Sequence, residues 1–203
     1  MQREPVRIVL ASRTSELTPA IARWITSGRG SLAFILGDEE CRHRLLADGI
    51  NWDRVLVAYR GADAIGYAAF KHHRRGPFSP GSGPFVREFG RLGGTLRYGL
   101  FMVSEWREWC YGFYLYGLRV RKVARRQGVA SALLQAVFEQ ARGSGHEKVE
   151  LEVQAKNLAA RAFYAHHGFV SIRTMSWLSR LVPIPTVINL RRTLSPLSRV
   201  PPK

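Results

Sequence analysis

Two kinds of residue are scarce in this 203-residue chain, and each scarcity closes off a class of protein. It has 2 cysteines, Cys41 and Cys110, too few for a disulfide framework, and neither has a second Cys or a His beside it at metal-ligand spacing. Both read as ordinary thiols of a reducing compartment. Acidic residues number 15 against 31 Lys and Arg, a formal charge of +16. That balance disfavours polycationic ligands and suits anionic partners: nucleic acid, a ribosome, an anionic membrane face or a phosphate-rich cofactor. Long apolar runs are missing too. Nothing reaches the length of a membrane-crossing helix, and the run in MQREPVRIVLAS is too short for a signal peptide, so the expected location is cytoplasmic. The 6 histidines include the adjacent pairs His72-His73 and His166-His167. Neighbours on a strand or helix diverge, so no metal site is expected.

What is present is globular: 46% hydrophobic and 11% aromatic residues. The length suits one domain over residues 1–195, with 196–203 as a flexible tail. VRIVLA (6–11) reads as a strand, and SELTPAIARWIT as a helix capped at Ser15 or Thr18 with Pro19 early in it. DEECRHRLLADGI (38–50) is a second helix, and residues 53–73 form a hairpin around RGADA. RRGPFSPGSGP (74–84) is irregular. Residues 85–106 look helical despite four glycines, which weaken a helix by up to ~1 kcal/mol each. This face is a core face, a substrate lid or a membrane-surface contact; its basic residues do not segregate as an interfacial helix requires. The remainder alternates strand, helix, strand, helix, strand, strand, starting from WCYGFYLYGLRV (109–120) and ending in PTVINLRRTL. That order forces a crossover and a mixed, partly parallel α/β sheet flanked by helices.

VRKVARRQGVASALL (120–134) concentrates positive charge just before a helix that opens at Gly128. Positive charge opposes the dipole at a helix N-terminus, so either the run is solvated or an anion sits there. Gly128 lets backbone approach a ligand, and Ala130 and Ser131 keep the first turn slim. The loop lacks both the Gly-Lys-Ser/Thr ending of a P-loop and the three spaced glycines of a dinucleotide fingerprint. By itself it leaves both readings open.

The residues downstream supply a resemblance. Arg125-Arg126-Gln127-Gly128-Val129-Ala130 after a strand, then Asn157, Ala160, Tyr164 and Gly168-Phe169, resembles the GNAT superfamily of acetyl-CoA-dependent N-acetyltransferases over residues 115–170. Lys122 departs from the Pro frequent in that family, and the 74–108 region is longer than its usual connection. The resemblance implies a GNAT-like fold and acetyl-CoA as cofactor, with no metal. Its cofactor-binding residues would be Leu118, Val120, Arg125, Arg126, Gln127, Gly128, Val129, Ala130, Ser131 and Asn157: strand backbone and loop amides on the pantetheine and pyrophosphate, Asn157 on the pantetheine arm or a bridging water. Tyr164 would protonate the leaving thiolate; packing against cofactor or core is its alternative role.

LEVQAKNLAARAFYAHHGF also resembles the ribosomal-protein alanine N-terminal acetyltransferases, in which a Glu of the LEV strand assists deprotonation through water; Glu152 holds that place. Glu150 alternates onto the same face and is a second candidate, and a surface ion pair is the alternative for Glu152. Tyr114 and Tyr116 either line an acceptor channel or pack, and His166 and His167 read as exposed helix residues. The function this implies is direct acetyl transfer in a ternary complex, by a monomer or dimer, to a protein or peptide amine, with an acidic or ribosomal partner suited by the charge. A small-molecule amine acetyltransferase and a non-catalytic CoA-, ribosome- or nucleic-acid-binding module of the same fold are the alternatives. Neither cysteine lies in the matching block, which argues against an acyl-cysteine route.

Overall fold

Alternating and β-branched runs form the strands of a seven-stranded sheet in the order β1-β2-β3-β4-β5-β7-β6. The structure, a computed structural model, describes residues 4–28, 32–108, 111–175 and 186–195. The expected tail at 196–203, Cys110, and the ends of the strands expected at 109–110 and 176–177 lie outside the described residues. The strands are β1 (Arg7–Leu10), β2 (Val55–Arg60), β3 (Asp63–His72), β4 (Phe113–Val120), β5 (Lys148–Gln154), β6 (Val170–Met175) and β7 (Val187–Thr193). Every neighbouring pair is antiparallel except β4 and β5, which are joined through a helix as a parallel pair must be. This is the mixed, partly parallel sheet that the order of elements predicts.

Helices cover both faces. On one lie α1 (Pro19–Thr26), α2 (Ala33–Leu36), α3 (Glu39–Leu46) and α4 (Ser82–Glu108), around a core that includes Ile25, Leu36, Leu45, Tyr59, Phe85 and Phe101. On the other lie α5 (Val129–Gly143) and α6 (Leu158–His166), over Phe70, Phe113, Leu133, Leu134, Phe138 and Leu151. Local chemistry explains where these helices start. The Thr18 hydroxyl accepts from the Ile21 amide ahead of Pro19, and the Asp38 carboxylate accepts from the Cys41 amide at 2.8 Å. The four-residue α2 was not apparent in the sequence, being too short for any period to show.

In α4 the glycines have a use beyond lowering helix propensity. Gly90 breaks the helix at φ 74, and a Cβ at Gly94 would lie 2.4 Å from the Phe85 carbonyl oxygen, so the two segments fold tightly on each other. One face of α4 is core, as expected. The opposite face carries exposed Leu92, Leu96, Leu100, Val103 and Trp106. Among the described residues, no helix is long and apolar enough to cross a membrane.

Candidate active site

The parallel pair is scarcely a pair at all. Tyr114 opposite Glu150 is the single registered partner between β4 and β5. Beyond it the strands part, and β4 from Leu115 to Val120 pairs with β3 on one side only. An unpaired strand edge offers amide and carbonyl groups to any extended ligand that carries its own amides. At the same place β4 carries a bulge: Phe70 pairs with Leu115 and Ala69 with Gly117, leaving Tyr116 as the extra residue. The bulge reverses the alternation. Leu115 and Leu118 both reach the α5 face, whereas Tyr116 turns to the α4 face.

Past the bulge the chain enters the basic loop. Arg126 at φ 54 and Gly128 at φ 78 are both left-handed, and a Cβ on Gly128 would meet nothing within 4 Å. The first helical bond accepted here runs from the Ala132 amide to the Gly128 carbonyl at 2.9 Å, and no side chain caps the helix. The opening amides of α5 therefore lack intrahelical acceptors. The side chains of several residues expected to bind cofactor are engaged elsewhere. Val129 is core, the Gln127 amide donates to the Val123 carbonyl at 2.8 Å, and the Ser131 hydroxyl lies 3.0 Å from His167 Nε2. Arg125 Nε donates to the Val120 carbonyl at 3.3 Å, and Arg126 is exposed. From 127 to 131, backbone is what this segment offers a ligand, with the exposed Arg126 side chain beside it.

A cleft of about 780 Å³ follows the unpaired edge of β4 to the α5 N-terminus. Leu118, Val120, Arg125, Ala130, Asn157 and Tyr164 are among its walls. Asn157 caps α6, its Oδ1 accepting from the Ala160 amide at 3.1 Å, so its carbonyl end is already committed. Tyr164 packs edge-on against Phe163 and Phe169, and burial pushes its phenol well above the ordinary tyrosine range. The open space over Gly128, the uncapped amides and the arginines fit a diphosphate, and the unpaired strand edge fits an extended amide-bearing arm.

Glu152 stands elsewhere. Val149, Leu151 and Val153 of β5 enter the α5-side core, so Glu150, Glu152 and Gln154 point to the opposite face. There the Tyr111 hydroxyl donates to Glu152 Oε1 at 3.3 Å and receives the Asn189 amide at 2.9 Å. Tyr111 stacks on Tyr114, whose ring meets Tyr116 edge-on. The Tyr116 hydroxyl donates to Glu105 Oε1 at 2.9 Å, and Glu105 forms a buried ion pair with Lys71 at 2.7 Å. Glu150 is bound to Arg191, Nε to Oε1, at 2.8 Å, which ties up the second candidate base. A smaller cavity of about 290 Å³ opens beside Lys71, Phe78 and Glu105.

The family model described as "Acetyltransferase (GNAT) family" matches residues 31–169. The chain belongs to the GNAT acetyltransferase family. Among curated proteins it is 42% identical over 64 residues to "GCN5-related N-acetyltransferase 6, chloroplastic" of Arabidopsis thaliana, a match over 32% of this chain and 22% of that protein. The aligned part thus spans about a fifth of that relative. Among solved structures, Ard1 of Thermoplasma volcanium superposes with a TM-score of 0.54 at 15% identity, over 94% of this chain and 98% of the other. The ribosomal-protein-S18-alanine N-acetyltransferase of Escherichia coli gives 0.53 at 14%, over 98% and 100%. At such identities the agreement is one of GNAT fold.

Within this GNAT chain, sequence reasoning missed the Lys71–Glu105–Tyr116 network. A signal existed: Lys71 interrupts the apolar run of β3, and Glu105 lies on the buried side of α4. Two lone opposite charges at core positions are costly unless they meet.

Proposed function

We propose that this chain is an N-acetyltransferase that moves an acetyl group from acetyl-CoA directly to a protein or peptide amine. The observation that carries this reading is the parting of β4 and β5 at Tyr114, with the Tyr116 bulge at its base. Acetyl-CoA, when bound, supplies an activated thioester whose sulfur needs a proton as it leaves. Backbone of Leu118 to Val120 holds the pantetheine arm, and the amides of Arg125 to Ser131 hold the pyrophosphate at the α5 N-terminus. Asn157, its carbonyl oxygen committed to the cap, offers Nδ2 to the arm. A β4 backbone amide at the bulge donates to the thioester carbonyl as charge grows on it. Tyr164 keeps its proton at Oη in the unreacted state. Burial raises the phenol and also disfavours an unprotonated thiolate in the same cleft, which favours passing the proton to sulfur.

Glu152 takes the amine proton through water from the opposite face of the sheet. Amine and departing sulfur are thereby served from two sides of one gap. The charge of +16 suits an acidic peptide or a ribosomal acceptor better than a polycation.

Calorimetry with CoA, followed by an acceptor screen by mass spectrometry on peptides and small amines, tests the reading. Tyr164→Phe is expected to lower kcat by about 10²–10⁴-fold with CoA affinity retained, and Glu152→Gln to lower kcat likewise. Absence of CoA binding, or unchanged turnover in Tyr164→Phe, would overturn the proposal or its acid respectively.

A further inference from the structure

The turn that ends β3 runs against the preferences of its residues. His72 and Arg75 exchange backbone hydrogen bonds at 3.2 and 3.0 Å, so His73 and Arg74 are the central residues of a tight turn, at φ 49 and 60. Positive φ at both central positions ordinarily selects Asn-Gly. Neither residue here is glycine, and strain of this kind gathers at functional positions.

The turn has a specific result. It swings the His73 ring to within 4.8 Å of the His72 ring, centroid to centroid. His146, from the α5–β5 connection, joins them at 5.7 and 5.3 Å. The expectation that these neighbours diverge holds for a regular strand and fails here, because the strand ends at His72 and the next residue is left-handed. One ring nitrogen from each of His72, His73 and His146 lies within 4.8 Å of the other two.

Two further observations point to a ligand. His72 Nδ1 and His146 Nε2 are buried and have no hydrogen-bond partner among the described residues. A buried polar atom left so costs ~1–3 kcal/mol, and folded proteins rarely leave two in one cluster. The rings are also held in place: His72 stacks against Phe70 and Phe113, and His146 meets Phe113 edge-on.

We propose that His72, His73 and His146 form a binding site for a divalent transition ion of borderline softness, zinc above all, with water in the open fourth position. Three imidazoles with no carboxylate suit zinc, nickel or copper and not magnesium or calcium, which take oxygen ligands. Tetrahedral zinc, with Zn–N of ~2.0–2.1 Å, brings its nitrogens to roughly 3.3 Å apart, so the three ring nitrogens, within 4.8 Å of one another, draw together as the ion binds. The charged residues beside the cluster, Arg54 and Asp53, are paired with each other at 3.1 Å.

The cluster lies where β3 ends, β4 begins and β5 begins, the far end of β4 from the Leu118–Val120 wall of the cleft. It is therefore a second site, independent of the acetyl-transfer reading. The ion clips the segment leading into α4 to the strand that carries Glu152.

The test is a zinc titration of the metal-free, untagged full chain by calorimetry, with Co²⁺ d–d absorption reporting tetrahedral geometry and a thermal melt in parallel. One equivalent is expected to bind and to raise Tm. His73→Asn, which tolerates the left-handed turn, and His146→Gln are each expected to weaken zinc by more than about 100-fold and to abolish the Tm rise. His167→Ala should bind zinc as the parent does. No binding at one equivalent, binding retained in His73→Asn, or equal loss in His167→Ala would each overturn the site.

Discussion

At Gly128 the demands of the fold and of the proposed pyrophosphate site separate, and a single substitution reads both. Its φ of 78 and ψ of −8 are left-handed, and the space where a Cβ would go is empty to 4 Å. In Gly128→Glu the folding cost is then conformational and not steric, about 1–2 kcal/mol. For a domain of this size that lowers Tm by about 2–8 °C. The cost to binding is larger. A carboxylate roughly 5 Å from a bound pyrophosphate, at an effective dielectric near ~20, repels each unit charge by about 3 kcal/mol, or more than ~100-fold in Kd. Gly128→Asn supplies the contrast, since it tolerates the left-handed geometry and carries no charge. Calorimetry with CoA beside thermal melts of the three proteins gives both quantities. A folded Glu variant that binds CoA within about threefold of the parent would refute the pyrophosphate assignment.

The buried network invites a test of stability. Lys71→Met removes the Lys71 charge from beside buried Glu105 and is expected to cost about 3–5 kcal/mol in urea unfolding, with Lys71→Met/Glu105→Leu recovering most of it; a double variant no better than the single would remove the pair from the account. Cys41 is 5% exposed, and burial and then Glu88 push its thiol up to about 11. Peptide-resolved mass spectrometry is accordingly expected to find Cys41 alkylated slowly at about pH 8 in the native protein and rapidly in urea; equal rates would mean that the segment opens readily.

Much of the fold was legible because most of its elements carry local signals. Thr18, Pro19 and Asp38 mark helix starts by chemistry that acts over three residues, and β5 alternates cleanly because one of its faces is core. The cleft was legible for the same reason: Gly128, Asn157 and Tyr164, the residues proposed to meet the cofactor, lie in one continuous block whose order the fold preserves. The polar network on the opposite face was not. Tyr116 meets Glu105 and Tyr111 meets Asn189 only because the fold lays α4 and β7 beside this stretch of chain. The histidine cluster was hidden by a single torsion. Nothing in the letters His-His announces that the second residue adopts φ 49.

The sheet order also carries a consequence for how this protein is made. β7 lies between β5 and β6, so β6 finds no partner and β5 keeps a bare edge until residues 187–193 arrive. The α5 side of the sheet, complete through β4, has most of its core by then. On a ribosome, the half built from β1 to α5 is ready to form well before the half in which β5 is paired with β7. Between those moments, β5 exposes an unpaired edge of the kind that other chains add to. For this chain, the interval between synthesis of β6 and of β7 is the one in which misassembly is most available.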